Sequence, residues 1–172
     1  KNVMAASVSS FLIMPNQARV WLVDVSHWNI PPVDLKRMVD LYSLDGVVIK
    51  ACDGSLNSRY YLEHVAAAKK AGIPWGAYVW LYPNNRVSID AQVTAWHART
   101  VNDPPPMGIF IDAESTTYNG QPANPLSADL RMAHDKWYAR TGRPATTYTS
   151  PGYAKAYLSN FDFSREELWI AH

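Results

Sequence analysis

Apolar residues in this chain fall into short unbroken runs, separated by stretches in which they recur every third or fourth position. The runs at 20–26, 47–52, 75–81, 109–112, 145–149 and 168–171 are rich in β-branched and aromatic residues and read as six strands. Between them, Leu35, Met38, Val39 and Tyr42 give a first helix that ends near Asp45-Gly46. Tyr61, Leu62, Val65, Ala66 and Ala68 form the apolar face of a second, stopped by Gly72 and Pro74, and Ile89, Val93 and Trp96 mark a third capped by Ser88. Asn124-Pro125 reads as N-cap plus first-turn proline of a fourth helix, whose stripe Leu126, Leu130, Ala133 and Trp137 closes at Gly142 and Pro144. Ser150-Pro151 caps a short fifth helix with Ala154, Tyr157 and Leu158. Strands alternating with helices imply a parallel sheet covered by helices, either a barrel or a doubly wound sheet.

No G-x-G-x-x-G follows the first strand and no G-x-x-x-x-G-K-[ST] occurs, so the nucleotide-binding open sheet has no support and a barrel is preferred. Six strands fall short of the roughly 250-residue, eight-stranded barrel. The expected fold is therefore an irregular TIM-like (β/α) barrel over 20–172 that lacks its last strands. Residues 1–19 are basic, then mildly apolar and diluted by Ser7, Ser9 and Ser10; they are left outside the fold as a linker or leader remnant.

The strand at 109–112 ends in Asp112-Ala113-Glu114. Side chains alternate along a strand, so the two acids point the same way with Cβ atoms roughly 6 to 7 Å apart. Crowded carboxyls raise each other, and one of the pair should hold its proton to unusually high pH, as a general acid must. The competing reading, in which both acids cap the next element or pair with Lys and Arg, stays open. Asp24 is a third acid at a strand exit. Ligands collect at the carboxyl ends of the strands in such folds, so one shared acidic pocket is the economical reading, walled by the polar loop at 115–123.

A formal charge of +1 suggests neither a nucleic-acid partner nor a strongly anionic one. Seven Trp and ten Tyr in a chain of low charge suit the stacking of sugar faces. The single Cys52 excludes an intrachain disulfide, and no apolar run approaches the ~18 residues that span a membrane. His27 beside Asp24 and Asp112 could ligate a metal. His64, His97, His134 and His172 lie on helices or at the end, no H-x-H or H-E-x-x-H occurs, and neither metal nor cofactor is expected. Trp96 and Trp137 fall at core spacing.

Several stretches, taken in order, resemble the glycoside hydrolase family 25 lysozymes, the Chalaropsis-type muramidases. They are Asp24-Val25-Ser26-His27-Trp28-Asn29, Val48-Ile49-Lys50-Ala51, Ala71-Gly72-Ile73-Pro74-Trp75-Gly76-Ala77-Tyr78, Phe110-Ile111-Asp112-Ala113-Glu114, Tyr148-Thr149-Ser150-Pro151-Gly152-Tyr153 and Leu168-Trp169-Ile170-Ala171. The resemblance implies an irregular barrel that cleaves the MurNAc-GlcNAc bond of bacterial peptidoglycan outside the producing cell, as a secreted or phage-encoded enzyme. Glu114 would be the general acid, raised by two ionised neighbours, while Asp112 and Asp24 would orient the 2-acetamido group and stabilise positive charge, with retention of configuration expected. Tyr78, Trp80 and Tyr148 match aromatic groove positions; Trp28 and Lys50 complete the expected substrate-binding set, Lys50 orienting the acids. Cys52 stands where the family commonly has Thr, a buried substitution. The family's final strands, with a further groove aspartate, are missing, and further domains are expected in a longer protein. The rival is a catalytically silent barrel, a wall-binding or virion module, against which the presence of all three acids argues.

Overall fold

The computed structural model describes residues 8–10, 20–31, 33–165 and 167–171. Most of 1–19, expected to be a linker, lies outside the described residues. The exception is β1 (Val8–Ser10), which pairs antiparallel with β2 (Trp21–Val25).

From β2 onward strand and helix alternate: α1 (Leu35–Tyr42), β3 (Gly46–Asp53), the short β4 (Leu56–Asn57), α2 (Tyr61–Ala71), β5 (Trp75–Trp80), α3 (Ile89–Thr100) and β6 (Ile109–Asp112). There follow β7 (Thr117–Tyr118), β8 (Gln121–Pro122), α4 (Ser127–Thr141), β9 (Thr146–Thr149), α5 (Pro151–Tyr157), a 3-10 turn and β10 (Glu167–Ile170). Among the described residues β2, β3, β5, β6, β9 and β10 pair in parallel in chain order, each consecutive pair joined by one helix. These are the six expected strands, and their curled sheet is a half-barrel. β4 folds back on β3 as an unexpected short hairpin.

Both faces of this sheet are buried, which is why its strands read as apolar runs without alternation. Val23, Val25, Val47, Ile49, Ala77, Val79, Ile109 and Ile111 face the helices and form one core with Leu35, Val65, Val93, Trp96, Leu130 and Trp137. The alternate positions Leu22, Val48, Phe110 and Trp169 form a smaller inner cluster against Tyr78, Met107 and Tyr148. The Phe110 ring crosses β5 so closely that a Cβ on Gly76 would lie 2.6 Å from it, so only glycine fits there.

Two helix details differ from expectation. On α2 the buried stripe is Tyr61, His64, Val65 and Ala68, while Leu62 is exposed and so is Ala66. The helix is rotated because His64 Nε2 lies 3.2 Å from the Ser26 carbonyl oxygen, which gives this polar ring a buried partner. Asn124 does not cap α4: its Oδ1 accepts from the Thr116 N–H at 3.0 Å, closing the polar loop. The helix starts later, at Leu126, whose N–H donates to Asp129 Oδ2 at 2.9 Å. Ser88 and Ser150 cap α3 and α5 as expected.

Candidate active site

Asp24 sits near the end of β2 and Asp112 ends β6; Glu114 lies two residues on. The β6 geometry continues past its last residue, since the Ala113 N–H donates to the Tyr148 carbonyl at 2.9 Å and the Thr149 hydroxyl to the Ala113 carbonyl at 2.8 Å. Glu114 is therefore held on the same side as Asp112. The three acids act on one another: Glu114 and Asp24 both raise Asp112, and Asp24 raises Glu114. Asp24, Asp112 and Glu114 thus share one electrostatic site.

Their environments differ. Asp112 is 5% exposed, and burial first, then Glu114, hold its carboxyl well above the usual range, with Lys50 pulling the other way. Glu114 is half-buried and raised by burial first and Asp24 second. The expectation that two ionised neighbours raise Glu114 is corrected on one point: Asp112 is the more deeply shielded acid and is itself pushed towards its neutral form. Glu114 opens onto a cavity of about 320 Å³ lined by Ser115, Ser150, Tyr153 and Tyr157. A second cavity of about 370 Å³, between Asn84, Arg86, Asn124 and Asp129, contains none of the acids.

A row of paired residues crosses the sheet at the level of the acids: Asp53 beside Trp80, Trp80 beside Asp112, Asp112 beside Tyr148, and Tyr148 beside Trp169. One level below, Lys50 stands beside Tyr78. The Lys50 ammonium, almost fully buried, lies 4.9 Å from the Trp80 ring centroid, 5.9 Å from that of Tyr78, and 3.2 Å from Asp53 Oδ2. Tyr148 packs edge-on against Trp169 at 5.0 Å; burial, then Glu114, Asp112 and Asp24, push its phenol up to about 12. Burial, Asp112 and Asp24 also raise Tyr78. Lys50, Tyr78, Trp80 and Tyr148 are thus gathered around the acids. Trp28 stands apart, 77% exposed and 4.5 Å from the His27 ring. Its connection runs through His27, whose pKa burial and Lys50 lower while Asp53 raises it.

Asp53 is absent from the expected site residues, because Asp53-Gly54 directly after the apolar run at 47–52 reads as a turn. The turn exists, with Gly54 at φ +56°, but Asp53 faces Lys50. A Lys-x-x-Asp spacing next to a Gly turn was the available signal, and strand periodicity argued against it. Tyr82, raised by burial and Asp53, also joins this edge and packs edge-on against Tyr118 of the β7–β8 hairpin at 5.5 Å. Among the described residues no group of three or more His, Cys, Asp or Glu is arranged to hold a metal ion.

A curled parallel sheet with carboxyls converging at its strand ends is an arrangement that suits barrel-type glycoside hydrolases. The chain belongs to glycosyl hydrolases family 25, whose model matches residues 23–172. Among solved structures it is similar to the modular autolysin LytC of Streptococcus pneumoniae, with a TM-score of 0.76 and 16% identity over 88% of this chain. It spans 37% of the length of that autolysin. The Streptomyces coelicolor lysozyme superposes with a TM-score of 0.74 at 22% identity, covering 89% of this chain and 74% of its own. For the Acremonium alcalophilum muramidase the values are 0.73, 22%, 87% and 75%. Searched against curated proteins, the chain has no match.

Proposed function

We propose that this chain is the catalytic barrel of a lysozyme that hydrolyses the bond between N-acetylmuramic acid and N-acetylglucosamine in bacterial peptidoglycan. Glu114 gives its proton to the glycosidic oxygen as the bond from the anomeric carbon to that oxygen breaks. Asp24 and Asp112 stabilise the positive charge that develops on the sugar. The substrate acetamide or an aspartate assists at the anomeric carbon. Water then adds from the original face and returns a proton to Glu114, so configuration is retained. The single residue between Asp112 and Glu114 supports retention, because it leaves little room for a water between two opposed carboxyls. Tyr78, Trp80 and Tyr148 pack on sugar rings, Lys50 orients the acids, and Trp28 lies further out along the groove.

The observation that carries this reading is the electrostatic coupling of Asp24 to both Asp112 and Glu114, from two strands of the half-barrel. Similarity to LytC in complex with a synthetic peptidoglycan ligand and to the catalytic domain of a Listeria phage endolysin supports peptidoglycan as the partner. It also supports action outside the producing cell, by secretion or phage release, with further domains in the full protein. The full-length protein is expected to clear bacterial cell walls and release fragments with a reducing N-acetylmuramic acid end, and Glu114→Gln to release none. New reducing ends on N-acetylglucosamine reject muramidase activity; binding without release favours a silent wall-binding module.

A further inference from the structure

Lys50 and Asp53 are three residues apart on β3, a spacing that sends side chains to opposite faces of a regular strand. The β3–β5 pairing slips between Lys50 and Cys52, inserting one extra residue, and Ala51 and Cys52 both enter the helix-side core. This bulge turns Asp53 back to the inner face, where its Oδ2 meets the Lys50 ammonium at 3.2 Å. Asp53 thereby lies beside Trp80, which in turn lies beside Asp112.

We propose that Asp53 is a positioning residue of this glycosidase site: its ion pair ties the Lys50 ammonium to the Trp80 and Tyr78 faces and keeps it from closing onto Asp112. The proposal rests on the glycosidase reading of Asp112. Lys50 already acts on Asp112 through its charge, and Asp112 Oδ1 is buried with no hydrogen-bond partner among the described residues. A direct pair with a released ammonium would hold Asp112 ionised but tie to Lys50 the negative charge that Asp112 offers the sugar. Asp112 is faced by Glu114 on its own segment, Asp24 on β2, Lys50 and Asp53 on β3, Tyr78 on β5 and Tyr148 on β9; His27 and Tyr82 act on or respond to Asp53.

The test is a carboxyl carbon NMR titration of Asp112, which needs no substrate, in the wild type, Asp53→Asn, Lys50→Met and the double variant. Asp53→Asn should lower the Asp112 midpoint further in the wild-type background than in Lys50→Met, because only there is a lysine released. Asp53→Ser makes the same comparison should the Asn variant fail to fold. Equal shifts in the two backgrounds, or none, overturn the proposal. On cell walls Asp53→Asn should lose about tenfold in kcat with KM kept, and Asp53→Glu should recover it. An inactive wild type removes the glycosidase reading, while the NMR comparison still decides whether Asp53 restrains Lys50.

Discussion

Asp24, carried by β2, raises the pKa of Glu114 beyond the end of β6, and only the burial of Glu114 contributes more. Glu114 as general acid is active while protonated, so activity falls as pH rises through its elevated pKa. Asp24→Asn removes the repulsion, Glu114 then releases its proton at lower pH, and the high-pH limb of kcat/KM moves down. The loss of charge stabilisation at the sugar should also cost about 10²-fold in kcat. Wall-clearing rates across pH for both proteins measure the two effects together. A variant whose high-pH limb stays in place would show that Asp24 does not set the Glu114 proton.

Asp112 should show a conflict between stability and activity. Its folded pKa is raised, so its neutral form favours the fold. That contribution is complete below the ordinary carboxylate range and is lost as pH rises through the folded value. Asp112→Asn cannot ionise and should be the more stable protein at neutral pH, by about 1 kcal/mol or roughly 2–4 °C in Tm, while losing about 10²-fold or more in kcat. Thermal unfolding at pH 7 and in the acidic range separates the cases, because the gain should vanish in acid. A gain that persisted at low pH would point to packing instead of charge.

The barrel was legible because its strands are buried on both faces: 47–52 and 109–112 carry apolar residues at nearly every position, and a run of that kind needs no knowledge of its neighbours. Asp112, Glu114 and Asp24 were legible for the related reason that they end such runs. What the pattern could not carry was a change of phase within a strand. The bulge after Lys50 depends on how β3 pairs with β5, so the sequence alone did not turn Asp53 towards Lys50. His64 was missed as a core residue because its burial depends on a carbonyl at Ser26, far away in sequence. Asn124 looked like a cap for a comparable reason: the Thr116 N–H that occupies it lies across the polar loop. The Asn119-Gly120 turn of the β7–β8 hairpin, with both residues at positive φ, was visible as a dipeptide but not as a hairpin, since its strands have two residues each.

His134 sets an acid limit on the fold. It is buried on α4 with Nε2 2.8 Å from Thr147 Oγ1, and burial, then Arg131, lower its pKa to about 4. The unfolded chain takes up this proton near the ordinary histidine value and the folded chain does not, so stability is full above about pH 6.5 and falls steadily towards about pH 4. Burial lowers His64 in the same direction. Melting temperature should decline over that window in the wild type and more gently in His134→Gln. A His134 resonance that titrates near 6.5 by proton NMR in the wild type would contradict this.

Trp96 supports the site from beneath. Its ring is fully buried, and its indole N–H donates to the Gly54 carbonyl at 2.8 Å, fixing the turn that follows Asp53. Gly54 cannot be altered freely either, since at its positive φ a Cβ would lie 2.6 Å from the Tyr82 ring. Trp96→Phe leaves the carbonyl without that donor and opens space in the core, at a cost of about 2–3 kcal/mol, or roughly 5–10 °C in Tm. Chemical denaturation gives the free energy directly. The loss should be mainly in stability, with the slope m unchanged because the folded core keeps its extent.

Trp28 tests how far the groove extends. Its ring is 77% exposed beside His27 and contributes to neither core cluster, so Trp28→Ala should change folding stability by no more than about 0.5 kcal/mol. If a sugar unit packs on this ring away from the bond being broken, it binds ground state and transition state alike. Its removal then raises KM by roughly fivefold and leaves kcat in place. Trp80→Ala is the contrast, because Trp80 carries the Lys50 ammonium and stands beside Asp112, so its loss should lower kcat as well. Steady-state kinetics on soluble wall fragments distinguish the two. A Trp28→Ala protein with unchanged KM would end the groove at Tyr78, Trp80 and Tyr148.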